Sequence, residues 1–235
     1  MPLKFLSELE EPAGLKLPSK HIAAAFAAGV CFTIAPVPQL FCAGGSSFVS
    51  LLKAALATVA GIILMVFFLL RSKEPDALQM KMLQRKDWLF VIGRTSLIIL
   101  LCALVSFLWK YLLKSLNIPF QDQQALLTLA KTLDNKSLIV FAVLVCVIVP
   151  ISEELLFRRI LYTGLLEFGK MTAFFGTAAV FAAVHLFLAG LPGLFLIGLG
   201  FQWLYLYRKN LTVSIVAHGF LNACTVAAVL IEKGV

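Results

Sequence analysis

Residues 137–159 read SLIVFAVLVCVIVPISEELLFRR. An apolar run long enough to enter a bilayer leads directly into Glu153, Glu154, Arg158 and Arg159, four charges within seven positions. A charged side chain at the centre of a membrane helix costs about 2.5–3.5 kcal/mol on insertion scales, so it persists where it pairs, meets water or does chemistry. Of the twelve acidic residues, only Glu153 and Glu154 can lie deep in a bilayer.

The rest of the chain fits that setting. It is 61% hydrophobic and 14% charged, with a mean hydropathy of +0.97, far more apolar than a soluble domain. Apolar runs predict seven spans, within a range of six to eight, at about 21–42, 49–70, 88–109, 137–166, 171–189, 191–207 and 211–231. The expected fold is an all-α, polytopic integral membrane bundle, with a polar site among the last four helices. Pro36 and Pro38 should break or kink the first span. The expected organisation is a cytoplasmic tail over 1–20, N-terminal membrane helices over 21–136 and a core over 137–235, all in one integral domain.

The net charge of +8 reads as orientation against anionic lipid rather than nucleic-acid binding. With the N-terminus inside, thirteen basic residues collect on inner segments, Lys81, Arg85, Lys86, Arg208 and Lys209 among them. The first twenty residues lack the pattern of a cleavable signal, and a cytoplasmic N-terminus in a prokaryotic plasma membrane is the expectation. Cys31, Cys42, Cys102, Cys146 and Cys224 are scattered without a CxxC pair and read as small hydrophobic side chains. Ala54, Ala55, Ala57, Ala60 and Gly61 offer a close helix-packing face.

Counted from a turn at Gly169-Lys170, Glu153 and Glu154 lie about as far back as His185 lies forward. Unbroken helices would bring them to one depth, ~24 Å from the turn at ~1.5 Å per residue. Phe181 and His185, His218 and Asn222, and Glu154 and Arg158 are each spaced i, i+4, hence on common helix faces. An arginine that neutralises one of two adjacent carboxylates leaves the other as the base, which assigns Glu154–Arg158 as a structural pair and Glu153 as the base. Pro150 removes an N–H beside Glu153. A competing reading ends the span near Val149 and lays residues 153–168 on the membrane surface as an amphipathic helix with solvated charges.

The motifs Glu153-Glu154-x-x-x-Arg158, Phe181-x-x-x-His185 and His218-x-x-x-Asn222, in that order on successive apolar helices, resemble the CPBP (Abi) family of intramembrane proteases. The best-known members of that family are the type II CAAX prenyl endopeptidases. The resemblance implies an endopeptidase acting on a membrane-associated protein or peptide, of CAAX type or in bacteriocin processing or self-immunity. It implies Glu153 and His185 as the water-activating pair, His218 and Asn222 as oxyanion donors, and Glu154, Arg158 and Phe181 around them. The family has also been described as metal-dependent, and Glu153, His185 and His218 would be the ligands of a zinc ion. With no HExxH present, a metal-free glutamate mechanism is favoured and no cofactor is expected. Rhomboid-type GxSG and presenilin-type GxGD patterns are missing. The rival from another class is a non-catalytic membrane protein, a proton-coupled transporter or a scaffold, using the same polar residues.

Overall fold

The computed structural model describes residues 19–34, 48–71, 76–120 and 133–233, and every regular element among them is helical. Helix α1 (Ser19–Gly29) runs on into a π-helical turn, Val30–Ile34. Then come α2 (Phe48–Leu70), α3 (Arg85–Ser115), α4 (Asn135–Phe168), α5 (Lys170–Val184), α6 (Leu191–Arg208) and α7 (Leu211–Lys233). A 3-10 turn, Leu188–Gly190, precedes α6. Five stretches are long and apolar enough to cross a bilayer, and α1 and α5 are shorter apolar helices. The chain is a polytopic helical membrane bundle. Pro36, Pro38 and Cys42, on which the expected break in the first span and one cysteine reading rest, lie outside the described residues.

Helix α4 is the axis of the fold. Asp134 caps it by accepting a hydrogen bond from the Ser137 N–H at 2.8 Å, satisfying one of the free donors of its first turn. It continues for 34 residues, with π-helical segments at Leu144–Ile148 and Leu155–Leu161. Pro150 explains the first of these. The Val149 N–H bonds to Leu144 O, five residues back. The next bond in that register would run from residue 150, which has no N–H to give. The carbonyl of Val145 therefore accepts from Asn222 Nδ2 of α7 at 2.8 Å. Beside it, a Cβ on Gly219 would meet Cys146 O at 2.7 Å, so only glycine lets α7 approach the disturbed backbone this closely. One proline in α4 thus fixes which face of α7 packs against it.

The surface-helix alternative for residues 153–168 fails. Helix α4 is continuous through Pro150, and Glu154, Arg158 and Arg159 are 0%, 0% and 1% exposed. The apolar side chains beside them, Leu156, Phe157 and Ile160, form the main core with Met65 and Leu69 of α2, Phe174 and Phe181 of α5 and Tyr205 of α6. Ala54, Ala55 and Gly61 of the expected small-residue face are buried, whereas Ala57 and Ala60 are not fully covered. On α3, Leu97, Leu100, Leu101, Leu104 and Leu108 are exposed, which is the surface expected to meet lipid.

The expected span at 171–189 is corrected at its far end. Helix α5 stops at Val184 after 15 residues, ~22 Å, less than the ~30 Å hydrocarbon thickness. The backbone turns at Leu186, with φ +50°. Irregular backbone at such depth needs internal hydrogen bonds. Here Leu186 N donates to Ala183 O, Gly190 N to Phe187 O, and the Trp109 indole N–H of α3 to Leu188 O at 2.9 Å. At its start, Gly169 supplies the turn from α4 with φ +99°, as the sequence suggested.

Candidate active site

Residues of α4 and α7 meet at Glu154, and aromatic rings from α5 and α6 surround its partners. Its Oε2 lies 3.2 Å from Arg158 Nε, one turn along α4, and its Oε1 lies 3.0 Å from His218 Nδ1 on α7. The i, i+4 pair read from the sequence is thus made, and it binds a third group. Ser214, one turn before His218, is buried on the same face, and its hydroxyl donates to Leu211 O at 3.0 Å. The spacing Ser214, His218, Asn222 places all three on one face of α7, a signal that would have identified Ser214.

The Arg158 guanidinium sits among aromatic rings. Its Cζ is 4.6 Å from the Phe181 centroid and 5.9 Å from those of Phe157 and Phe201. Such contacts stabilise a desolvated cation by about 2 kcal/mol. Its three nitrogens are buried and have no hydrogen-bond partner among the described residues, so the ion pair with Glu154 and the rings carry the charge. Phe181 also lies between the two imidazoles, 4.8 Å from the His185 ring and 6.2 Å from that of His218. Phe201 packs at a tilt against His218, with ring centroids 5.3 Å apart, and was missed in the sequence, where nothing separates it from the other nineteen phenylalanines.

Glu153 has a different environment from its neighbour. Its side chain is 13% exposed, its Oε2 has no hydrogen-bond partner among the described residues, and that oxygen faces His218 Nε2 at 3.9 Å. The separation is too long for a direct hydrogen bond. The partners of His218 assign its tautomer. With Glu154, ion-paired to Arg158, accepting from Nδ1–H, the neutral ring keeps its Nε2 lone pair toward Glu153.

His185 and Asn222 are placed less directly. His185 follows the last residue of α5 as its C-cap and is exposed, and its Nδ1 donates to Phe181 O at 2.7 Å, because a carbonyl can only accept. In the neutral ring its Nε2 then carries the lone pair. Asn222 uses one amide hydrogen on Val145 O and keeps the second. Among the described residues no three of His, Cys, Asp and Glu converge on a point where a metal ion would bind. Glu153, His185 and His218 as folded do not form the zinc set that the resemblance offered.

The described helices thus enclose a charged interior, in which Glu154, Arg158 and His218 are buried and Glu153 is partly buried beside them. Residues 135–224 match the family model described as type II CAAX prenyl endopeptidase Rce1-like. The match covers 90 of the 235 residues and is to the family that the order of the three motifs resembles. The matched segment holds all seven residues singled out above, Glu153, Glu154, Arg158, Phe181, His185, His218 and Asn222. No curated protein and no solved structure matches the chain.

Proposed function

We propose that the protein hydrolyses a peptide bond in a membrane-associated protein or peptide by a metal-free glutamate mechanism. The observation that carries this reading is the division of labour between adjacent carboxylates. Glu154 is ion-paired with Arg158 at 3.2 Å and meets His218 Nδ1 at 3.0 Å, while Glu153 has no cation beside it among the described residues and faces His218 Nε2 at 3.9 Å.

In this mechanism Glu153 Oε2 accepts a proton from the attacking water, and the Nε2 lone pair of His185 helps to orient that water when substrate is bound. The water oxygen bonds to the scissile carbonyl carbon. The proton taken by Glu153 then passes to His218 Nε2, which the 3.9 Å separation allows through one hydrogen-bonded intermediary. The imidazolium so formed is held on its Nδ1 side by Glu154 and presents Nε2–H to the oxyanion, together with the second amide hydrogen of Asn222. Collapse of the tetrahedral centre breaks the C–N bond, and the same proton leaves on the amine. Glu154 and Arg158 position His218 without taking up a proton themselves.

The CAAX-type family points to prenylated protein C-termini as the first substrates to try, with processing of bacteriocins or other membrane peptides next. The end of the bundle bearing Lys81, Arg85, Lys86 and Lys209 is assigned to the cytoplasm by its basic bias, in a prokaryotic plasma membrane. The test is cleavage of a quenched peptide library, with farnesylated and unmodified members, by detergent-purified wild type and Glu153→Ala, with and without chelator. Loss of cleavage in the variant together with persistence in chelator is expected. Chelator-sensitive cleavage would replace the metal-free mechanism, and absence of cleavage by wild type would turn the reading toward a proton relay or scaffold.

A further inference from the structure

The arginine that follows the motif, Arg159, does not enter the site. Arg159 points from α4 to the segment 76–84 that joins α2 to α3, outside the matched region. Its Nε donates to Ala77 O at 2.6 Å, its Nη2 to Asp76 O at 3.3 Å and its Nη1 to Tyr205 Oη of α6 at 3.4 Å. The Tyr205 hydroxyl in turn donates to Gln79 Oε1 at 2.6 Å. At the start of α7, Leu211 N donates to Gln79 O at 2.8 Å, and the Asn210 side chain both accepts from Lys81 N at 3.0 Å and donates to Lys81 O at 3.2 Å. Ala77 and Gln79 are buried, and Leu78 packs on the main core.

This segment is a strap tied to α4, α6 and α7 at once. Asp76 and Gln79 hold φ of +60° and +50°, a backbone conformation that L residues adopt at a cost and keep only where surrounding bonds impose it. Arg159 lies five residues beyond Glu154, ~7.5 Å along α4, and Leu211 lies seven before His218, ~10.5 Å along α7. The strap therefore crosses between α4 and α7 within two helical turns of the contact between Glu154 and His218. Sliding of one helix past the other would break the strap bonds and alter the separation of Glu153 from His218 together.

We propose that Arg159 is a positioning residue, a latch that holds strap 76–84 across the bundle end and so sets the spacing of Glu153 and Glu154 on α4 from His218 on α7. The catalytic part of this inference rests on the proteolytic reading above, and the geometric part does not. A methionine at 159 keeps the apolar stem and removes the fork.

The experiment compares full-length wild type with Arg159→Met by three readouts. These are tryptic cleavage after Lys81 followed by mass spectrometry, the ¹⁵N signal of His218 Nδ1–H, and kcat and KM on the peptide found above. Release of the strap in the variant is expected to speed cutting at Lys81 about tenfold or more. It should also shift or broaden the His218 signal and lower kcat on the order of 10–100-fold at similar KM, since small displacements of reacting groups have effects of that size. Lys81 protected as in wild type overturns the latch, and a released strap with unchanged His218 signal and kcat overturns the positioning role. If wild type cleaves nothing, the proteolytic reading fails, and Lys81 protection with the His218 signal still decides the latch. Should Arg159→Met not fold, Tyr205→Phe removes a single hydroxyl from the same network and carries the same test.

Discussion

Replacing Arg158 by methionine leaves Glu154 as a fully buried carboxylate without its cation. At 3.2 Å, and with an effective dielectric of about 20, the Coulomb attraction of the pair is about 5 kcal/mol. Desolvation of the two ions offsets most of this, so the intact pair adds little net stability, yet removing one partner costs about 3–5 kcal/mol. Loss of the ring contacts to Phe157, Phe181 and Phe201 adds to the cost of the single change. Glu154→Gln is the complementary perturbation. The glutamine oxygen still accepts from His218 Nδ1, but Arg158 loses its closest anion. The double variant Glu154→Gln/Arg158→Met buries no uncompensated charge on this axis and should recover much of the loss, giving a coupling energy of about 3 kcal/mol. The assay is a double-mutant cycle by reversible denaturant unfolding in mixed micelles. Additivity within about 0.5 kcal/mol would show that the two side chains do not depend on each other, and the argument for Glu154 as a neutralised orienter of His218 would fall.

Two further outcomes follow from the junction of α4 and α7. Asn222→Leu leaves Val145 O without its donor and should cost about 1–3 kcal/mol, and Pro150→Ala in that background should recover part of this by returning an N–H to α4. No recovery would mean that Pro150 is not what frees that carbonyl. Gly219→Ala places a Cβ 2.7 Å from Cys146 O, a backbone atom that cannot swing away, so α7 must retreat. A destabilisation of about 1–3 kcal/mol is expected in the same micelle assay, together with a fall in kcat, and a variant unaffected in both would refute the close approach.

How far the sequence reveals the site depends on the range of each interaction. The pairing of Glu154 with Arg158 is local, between residues four apart on one helix, and needed no tertiary information. The bundle itself was legible for a similar reason, because apolar length reports directly on bilayer thickness. Depth along neighbouring helices was legible only while both helices stayed regular. Counting from Gly169 placed His185 level with Glu153, but α5 ends at that histidine and turns its ring to the Phe181 carbonyl. Nothing in the residues 184–188 includes the glycine or proline that would announce such a stop. Contacts made between distant segments left no signal at all. Arg159 and Arg158 are adjacent in the chain and equally buried, yet one stabilises the site and the other holds a loop some eighty positions upstream. The π-helical segments account for part of this. Each inserts a residue into the helical repeat, so the faces of α4 before and after Glu154 no longer follow one helical wheel, and a wheel drawn through Pro150 misassigns what lies beyond it.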